Sequence, residues 1–306
     1  HAIPLIEKLI SIDPSDDDFI FRIALLCFDN ERYNLSEKYF NILLSKFYVP
    51  DNINFFLGQI DYKNKRYDEA LLHYQRIQQG TFVNVKTLNV SKALLKKYNL
   101  EKALSHIDKE IKIKNQDNLL NSLSLKLSIF EEIGESADII RLSSQILESF
   151  PNNERALYSR ALAYEKEGNI LSMSKDFDEM IKLNKYNSIA LNAYGYSLAL
   201  HKLHLDKSEK LIRKALEIRP GEAAILDSLA WVLYLKGSYK EAAKYSSLAY
   251  SKDQDPEIIE HHYLILLKNG NSNEAKSILD QSIKNNPNSE KLLKLLDSSE
   301  NAAIKL

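Results

Sequence analysis

An all-α solenoid is the fold this sequence predicts, from three observations. Marker residues recur at a period near 34, each period carries two amphipathic helical stretches, and the residues that build turns are scarce. Among 306 residues there are only 8 Gly and 7 Pro. That is well below the roughly 7% and 5% of average usage, so long helices with short connections are expected and strands are not. An apolar content of 44% against 27% charged residues describes a chain that packs a core. With 41 basic and 42 acidic residues the net charge is −1. No broad basic face exists to neutralise phosphates, which excludes nucleic acid as a partner. The single cysteine, Cys27, rules out an internal disulfide and a cysteine-rich metal cluster but leaves the compartment open. The longest apolar runs, such as residues 23–28, fall far short of a membrane span of ~18 residues, and no signal peptide opens the chain.

The period is read from markers on a common frame. Gly134 and Gly168 stand 34 apart and Gly237 and Gly270 stand 33 apart, each after one helical stretch and before another. Taking these glycines as position 15 starts repeats at 120, 154, 223 and 256, and other markers extend the frame to 17, 51, 84 and 188. Eight repeats result, with spacings of 33 to 36 and the widest departure between the third and fourth. In order along the chain, residues 1–16, with Pro4 in a first turn, read as the second helix of an incomplete leading repeat. Residues 17–119 hold three degenerate repeats, 120–287 the five regular ones, and 288–306 a capping helix and tail. Pro14, Pro50, Pro151, Pro220, Pro256 and Pro287 all fall at junctions between repeats, where a helix has ended. No linker interrupts the array, so one continuous superhelix is expected, with flexure at the third and fourth repeats.

These positions resemble the tetratricopeptide repeat. The second repeat supplies Leu57-Gly58, Tyr67, Ala70 and Tyr74; the seventh supplies Leu229-Ala230, Gly237-Ser238-Tyr239, Ala242 and Ala249. The sixth has Gly195, Ala215 and Pro220 with one extra residue in its internal turn, and the eighth has Gly270, Ala275 and Pro287. Small residues at 8, 20 and 27 let two helices approach while 4, 7, 11 and 24 fill the gaps, so the pattern has a packing reason. The resemblance implies a right-handed superhelix of helix-turn-helix pairs that binds protein or peptide partners in its concave groove.

Catalysis needs convergent groups, and the sequence offers only fragments. His201 with His204, and Glu257 with His261, have helical spacing that two ligands of one metal could share, but no His-Glu-x-x-His occurs and both pairs read as helix-surface residues. No phosphate-binding glycine loop and no Gly-x-Ser-x-Gly is present. Cys27 occupies a packing position, and the lysines between 109 and 114 read as a solvated face. No enzyme, no cofactor and no metal site is expected.

In this repeat class positions 2, 5, 9, 12 and 13 face the groove. In repeats five to eight these are Arg155, Tyr158, Leu162, Asn192, Tyr196, Asp227, Trp231, Tyr234, Glu260 and Leu264. Such a surface, aromatic with a few hydrogen-bonding groups, has the composition of a binding hot spot. The competing reading is that Trp231 and Tyr196 only pack neighbouring repeats together. Phe21, Leu25, Phe28, Phe55 and Tyr62, with Leu88 and Leu95, make the first three repeats more apolar there, a second partner surface covered by a partner helix or by a segment of the chain itself. The lysine and asparagine set with which chaperone-binding members clamp a carboxylate is absent: Phe21 and Leu25, Phe55 and Gln59, Leu88 and Lys92 stand at positions 5 and 9.

A closer resemblance runs through Leu191 to Ala199, Leu211 to Pro220, Ala224 to Tyr234 and Asp255 to Ile258. This block is similar to the C-terminal part of proteobacterial outer-membrane tetratricopeptide lipoproteins, some of which are adaptors for periplasmic C-terminal processing proteases. The resemblance implies a chain tethered at the periplasmic face of the outer membrane, through a lipid anchor upstream, that presents substrates to a protease. Two alternatives stand beside it: an assembly scaffold for a pilus or polysaccharide machine, and the repeat half of a larger enzyme.

Trp231, the only tryptophan, separates groove from core. Truncating a binding anchor to alanine costs about 2 kcal/mol or more of affinity with little change in melting, whereas truncating a packed core residue costs about 3–5 kcal/mol of stability. Partner binding and thermal melting of Trp231→Ala are the two measurements.

Overall fold

A computed structural model describes residues 16–113, 119–287 and 289–303, and among them there are seventeen helices and no strand. The leading helix expected before Asp16 lies outside the described residues, as does the tail after Ala303. The chain divides into two compact units, residues 1–149 and 150–306.

In the first unit four hairpins follow one another. They are α1 (Asp17–Asp29) with α2 (Tyr33–Ser45), α3 (Pro50–Lys63) with α4 (Tyr67–Arg76), α5 (Val83–Lys97) with α6 (Leu100–Ile113), and α7 (Leu119–Ile133) with α8 (Ser136–Ser149). The second unit continues with α9 (Glu154–Lys166) and α10 (Ile170–Leu183), α11 (Ser188–Leu200) and α12 (Leu205–Ile218), α13 (Ala223–Leu235) and α14 (Tyr239–Lys252), α15 (Pro256–Lys268) and α16 (Ser272–Asn285), and ends on α17 (Glu290–Ala303). Eight hairpins and a terminal helix are what the period predicts. The division between the units falls one repeat beyond the step in consensus quality at residue 119, because α7 packs on α5 and α6. Side chains tie the fourth repeat back as well, with Lys126 on Asp108 at 2.8 Å and Lys92 on Glu132 at 3.1 Å.

Seven of the eight hairpins reverse through one residue in the left-handed region. Glu31, Lys65, Gly134, Gly168, Lys202, Gly237 and Gly270 all stand at position 15 with φ between +53° and +82°. The next N–H then reaches back across the turn, from Arg32 to the Cys27 carbonyl at 2.8 Å and from Ser238 to that of Leu233 at 2.9 Å. These bonds satisfy carbonyls that the helix end would leave orphaned. Only the third repeat departs, Tyr98 having φ −120°. The extra residue of the sixth repeat is absorbed by His204, which takes φ +45° before α12. Asparagines cap the first three helices of the second unit: Asn153, Asn169 and Asn187 accept from the N–H three residues on, at 2.9, 3.1 and 3.0 Å.

Within a hairpin the two helices nearly touch. A Cβ on Gly58 would lie 2.5 Å from the Tyr74 ring, and one on Gly195 would lie 2.5 Å from Ile212 and 2.9 Å from the Ser208 carbonyl oxygen. Where position 20 is serine, its fully buried hydroxyl donates to the opposite backbone, Ser36 to Ala24 at 2.8 Å and Ser208 to Gly195 at 2.6 Å. The packing residues the sequence singles out, Cys27 included, lie in these cores, and burial pushes the Cys27 thiol pKa up.

Gly237 has φ +80° and open space where a Cβ would go. Gly237→Ala should therefore cost about 1 kcal/mol through backbone strain alone, and Lys65→Gly should stabilise by a smaller amount. Both are read as urea midpoints at unchanged slope.

Candidate partner-binding groove

The first helix of each hairpin carries the candidate residues. In the second unit these are α9, α11, α13 and α15, and a cleft of about 400 Å³ opens along α9, α11 and the start of α13. Tyr158 and Leu162 from α9 face Asn192 and Tyr196 from α11 across it, and Ile189 and Leu200 extend its apolar wall. Leu162, Ile189 and Leu200 are exposed, at 36%, 54% and 47%. Tyr158 is half-buried with its ring edge-on to Phe177. The Oδ1 of Asn192 is buried and has no hydrogen-bond partner.

Asp227, Trp231 and Tyr234 form an adjoining layer organised by a histidine from the next hairpin. The Nδ1–H of His261 donates to Asp227 Oδ2 at 2.8 Å. Its ring stacks on Trp231 at 4.1 Å, and Trp231 stacks on Tyr234 at 5.0 Å. Tyr196 sits 6.2 Å from the same imidazole and donates its hydroxyl to Glu257 Oε1 at 2.6 Å. Burial pushes the Asp227 carboxyl above the usual aspartate range, opposed by the His261 bond. Burial and the Glu257 acceptor raise the Tyr196 phenol. The other oxygen of Asp227, Oδ1, is buried without a partner.

The sequence reading of His261 as a surface residue is therefore corrected. Both His261 and His262 are buried, at 4% and 2%, because α15 docks against α14 and α13 and turns these side chains inward. His262 shares a bond of 2.9 Å with the fully buried Ser246, and burial lowers its pKa; the pair is sealed from solvent. Sequence reasoning also missed Lys291, whose Nζ reaches Glu260 at 3.0 Å from α17. Of the remaining candidates, Leu264 packs into the terminal core and Arg155 is exposed outside the cleft lining. Half-buried Trp231 stands between the two expected extremes: it packs on the core of α11–α15 and still keeps exposed surface.

The first unit differs from expectation. Phe21, Leu25 and Phe28 are half-buried against the core of α1–α3, Phe21 with ring neighbours Phe40, Tyr48 and Phe56. Phe55 stacks on Phe82 at 3.9 Å. The chain's own aromatics fill much of what the sequence presented as an open apolar patch. Tyr62 donates to Glu132 at 3.0 Å, while Lys92 and Lys96 approach the same carboxylate at 3.1 and 3.2 Å. Among the described residues no group of three potential metal ligands converges, and no helix is long and apolar enough to cross a membrane.

Family models described as tetratricopeptide repeat match residues 21–81 and 264–289. A TPR repeat-containing protein of Pseudomonas aeruginosa strain PAO1 is 26% identical over 211 residues, which cover 69% of this chain and 36% of that protein. The chain thus spans about a third of that relative's length. Among solved structures, a tetratricopeptide repeat protein from Parabacteroides merdae superposes with a TM-score of 0.58 at 15% identity, over 84% of this chain and 97% of that one. PilW, described as a widely conserved type IV pilus biogenesis factor, gives 0.56 at 16% identity over 71% and 100%. Pseudomonas aeruginosa pilF gives 0.53 at 15% identity over 70% and 97%. At these identities the likeness establishes the repeat fold.

Glu132 supplies a pH test. Burial raises its carboxyl pKa, but bonds from Lys92, Tyr62 and Lys96 outweigh that and hold it below the ordinary glutamate value. Its stabilising contribution is therefore fully present above about pH 4.3 and is lost as pH falls through the lower folded value. Glu132→Gln should flatten that acid limb of the stability–pH curve measured by urea denaturation.

Proposed function

We propose that this chain, which has the tetratricopeptide-repeat fold, is a non-catalytic interaction scaffold holding a peptide segment of a partner in the cleft of its second unit. Proteins of this repeat are protein-interaction scaffolds. The observation that carries the reading is the combination of exposed Leu162, Ile189 and Leu200 with the unpartnered Oδ1 of Asn192. Apolar surface of that kind gains from being covered, and an orphaned acceptor gains from a donor such as a peptide N–H.

The finer reading is an adaptor that presents substrates to a C-terminal processing protease at the periplasmic face of the outer membrane. Its support is that the resembling block, from Leu191 to Ile258, lies over α11–α15, the helices that carry most of the cleft and all of the aromatic layer. A second reading, an assembly scaffold for a pilus or another envelope structure, is supported by the shared fold with a type IV pilus biogenesis factor. Affinity capture from the native cell envelope, read by mass spectrometry, separates the two by whether a processing protease or pilus components are retained.

Ile189 is 54% exposed, so Ile189→Glu should leave stability within about 0.5 kcal/mol of the parent while removing the retained partner. Retention unchanged by both Ile189→Glu and Leu200→Glu would overturn the cleft as the binding site.

A further inference from the structure

The second unit holds a buried carboxylate oxygen that the chain leaves without a donor. Asp227 is 5% exposed, its Oδ2 is taken by His261, and its Oδ1 has no partner. The nearby hydroxyl of Tyr196 is committed to Glu257. Leaving a buried acceptor unmade carries a desolvation penalty larger for a charged group than for a neutral one, so a donor arriving from outside recovers part of that penalty, less the cost of its own desolvation. The surroundings narrow the kind of donor. The His261 ring that holds Asp227 is stacked on Trp231, which stacks on Tyr234, and lies 6.2 Å from Tyr196, whose side of the layer joins the cleft with the second orphaned acceptor, Asn192 Oδ1. Acidic groups outnumber basic ones here. Glu165 and Glu222 line the cleft and Glu257 and Glu260 flank the aromatic layer, against Arg219 and against Lys291, which is already paired with Glu260.

A group that is cationic, planar and rich in N–H donors matches each of these features. Guanidinium stacks on aromatic faces, forms bonds with two acceptors at once, and sheds its weak hydration more readily than ammonium does. We propose that the aromatic layer on α11, α13 and α15 is a subsite for an arginine side chain of the bound peptide, with Asp227 as its anionic anchor. This rests on the reading of the cleft as a peptide groove and assigns the class of segment it selects. The polarity is the reverse of a carboxylate clamp: here the protein supplies the anion and the partner the cation. Aspartate at the centre and glutamates at the rim also divide the work, since the buried charge sets discrimination while exposed ones speed encounter.

The chain provides its own reporter, because Trp231 is its only tryptophan and stacks on the imidazole that holds Asp227. The experiment titrates the whole chain with capped synthetic peptides in which leucines flank one central residue: arginine, the neutral isostere citrulline, or glutamate. Affinity is measured by calorimetry and Trp231 fluorescence is followed in parallel. The arginine peptide is expected to bind at least about tenfold more tightly than the citrulline peptide, to change Trp231 emission, and to lose that advantage in Asp227→Asn. Equal affinities for arginine and citrulline, or tighter binding of glutamate, overturn the arginine subsite while leaving the peptide groove standing. Binding of none of the three overturns the subsite too, and if Ile189→Glu and Leu200→Glu also both leave partner retention intact the groove falls with it. Should Asp227→Asn destabilise the fold, the arginine-to-citrulline comparison in the unmodified protein decides by itself.

Discussion

Two helices that approach until a single methyl group would collide are the constraint on which this chain depends. Gly58 lies under the ring of Tyr74 and Gly195 under Ile212, and in the first and sixth repeats a serine hydroxyl bridges the remaining gap to a backbone carbonyl. Close approach excludes water along the whole seam, which is what makes a hairpin of two helices, each 10 to 15 residues long, worth forming. The reversal at position 15 serves the same end, since a left-handed residue there brings the second helix back antiparallel at once. With the seams fixed, the first helix of each hairpin has little freedom left, and its residues at positions 5, 9 and 12 stand side by side on neighbouring repeats.

What those side chains then do differs between the two units. In the first, the positions are consumed internally: Phe21, Phe28 and Phe55 share rings with their neighbours, and Tyr62, Lys92 and Lys96 converge on Glu132. In the second, equivalent positions leave a cleft and two unpartnered oxygens, on Asn192 and Asp227. One repeat frame thus supports a self-satisfied surface in one unit and an unsatisfied one in the other, and it is the unsatisfied one that has something to offer a ligand.

The fold was legible because its signals are local and periodic. Glycine at position 15, small residues at 8 and 20 and prolines at junctions each report a backbone or packing requirement that recurs in most copies of the repeat. The same rule hid three turns, since Glu31, Lys65 and Lys202 adopt the glycine conformation without being glycine. The candidate site was legible only in part. Asn192, Tyr196, Asp227 and Trp231 follow from position in the frame, but the residue that joins them does not. His261 reads as one of several helix histidines, and its partner once buried is Asp227, 34 residues earlier, which no window of sequence around it contains. Glu132 was missed for the same reason, its three donors coming from the second and third repeats. The apolar residues of the first unit misled in the other direction, because composition registers hydrophobicity without saying that a neighbouring ring already covers it.

The seam between paired helices also bears on how such a chain drifts. In the first, second, fifth and sixth repeats a small residue at position 8 faces a bulky one at position 24 or its shifted equivalent: Ala24 with Phe40, Gly58 with Tyr74, Ala161 with Phe177, Gly195 with Ile212. The fourth repeat inverts the pair, with Leu127 at 8 and Ser143 at 24, both fully buried. The seventh repeat has Ala230 at 8 and Ser246 at 24 and the eighth has Tyr263 and Leu279, all four buried, so the seam is not held to one volume; where a small residue meets a bulky one, either change taken alone leaves a void or a collision. In the repeats that keep the small-against-bulky pair, exchange at one of the two positions is therefore tied to exchange at the other.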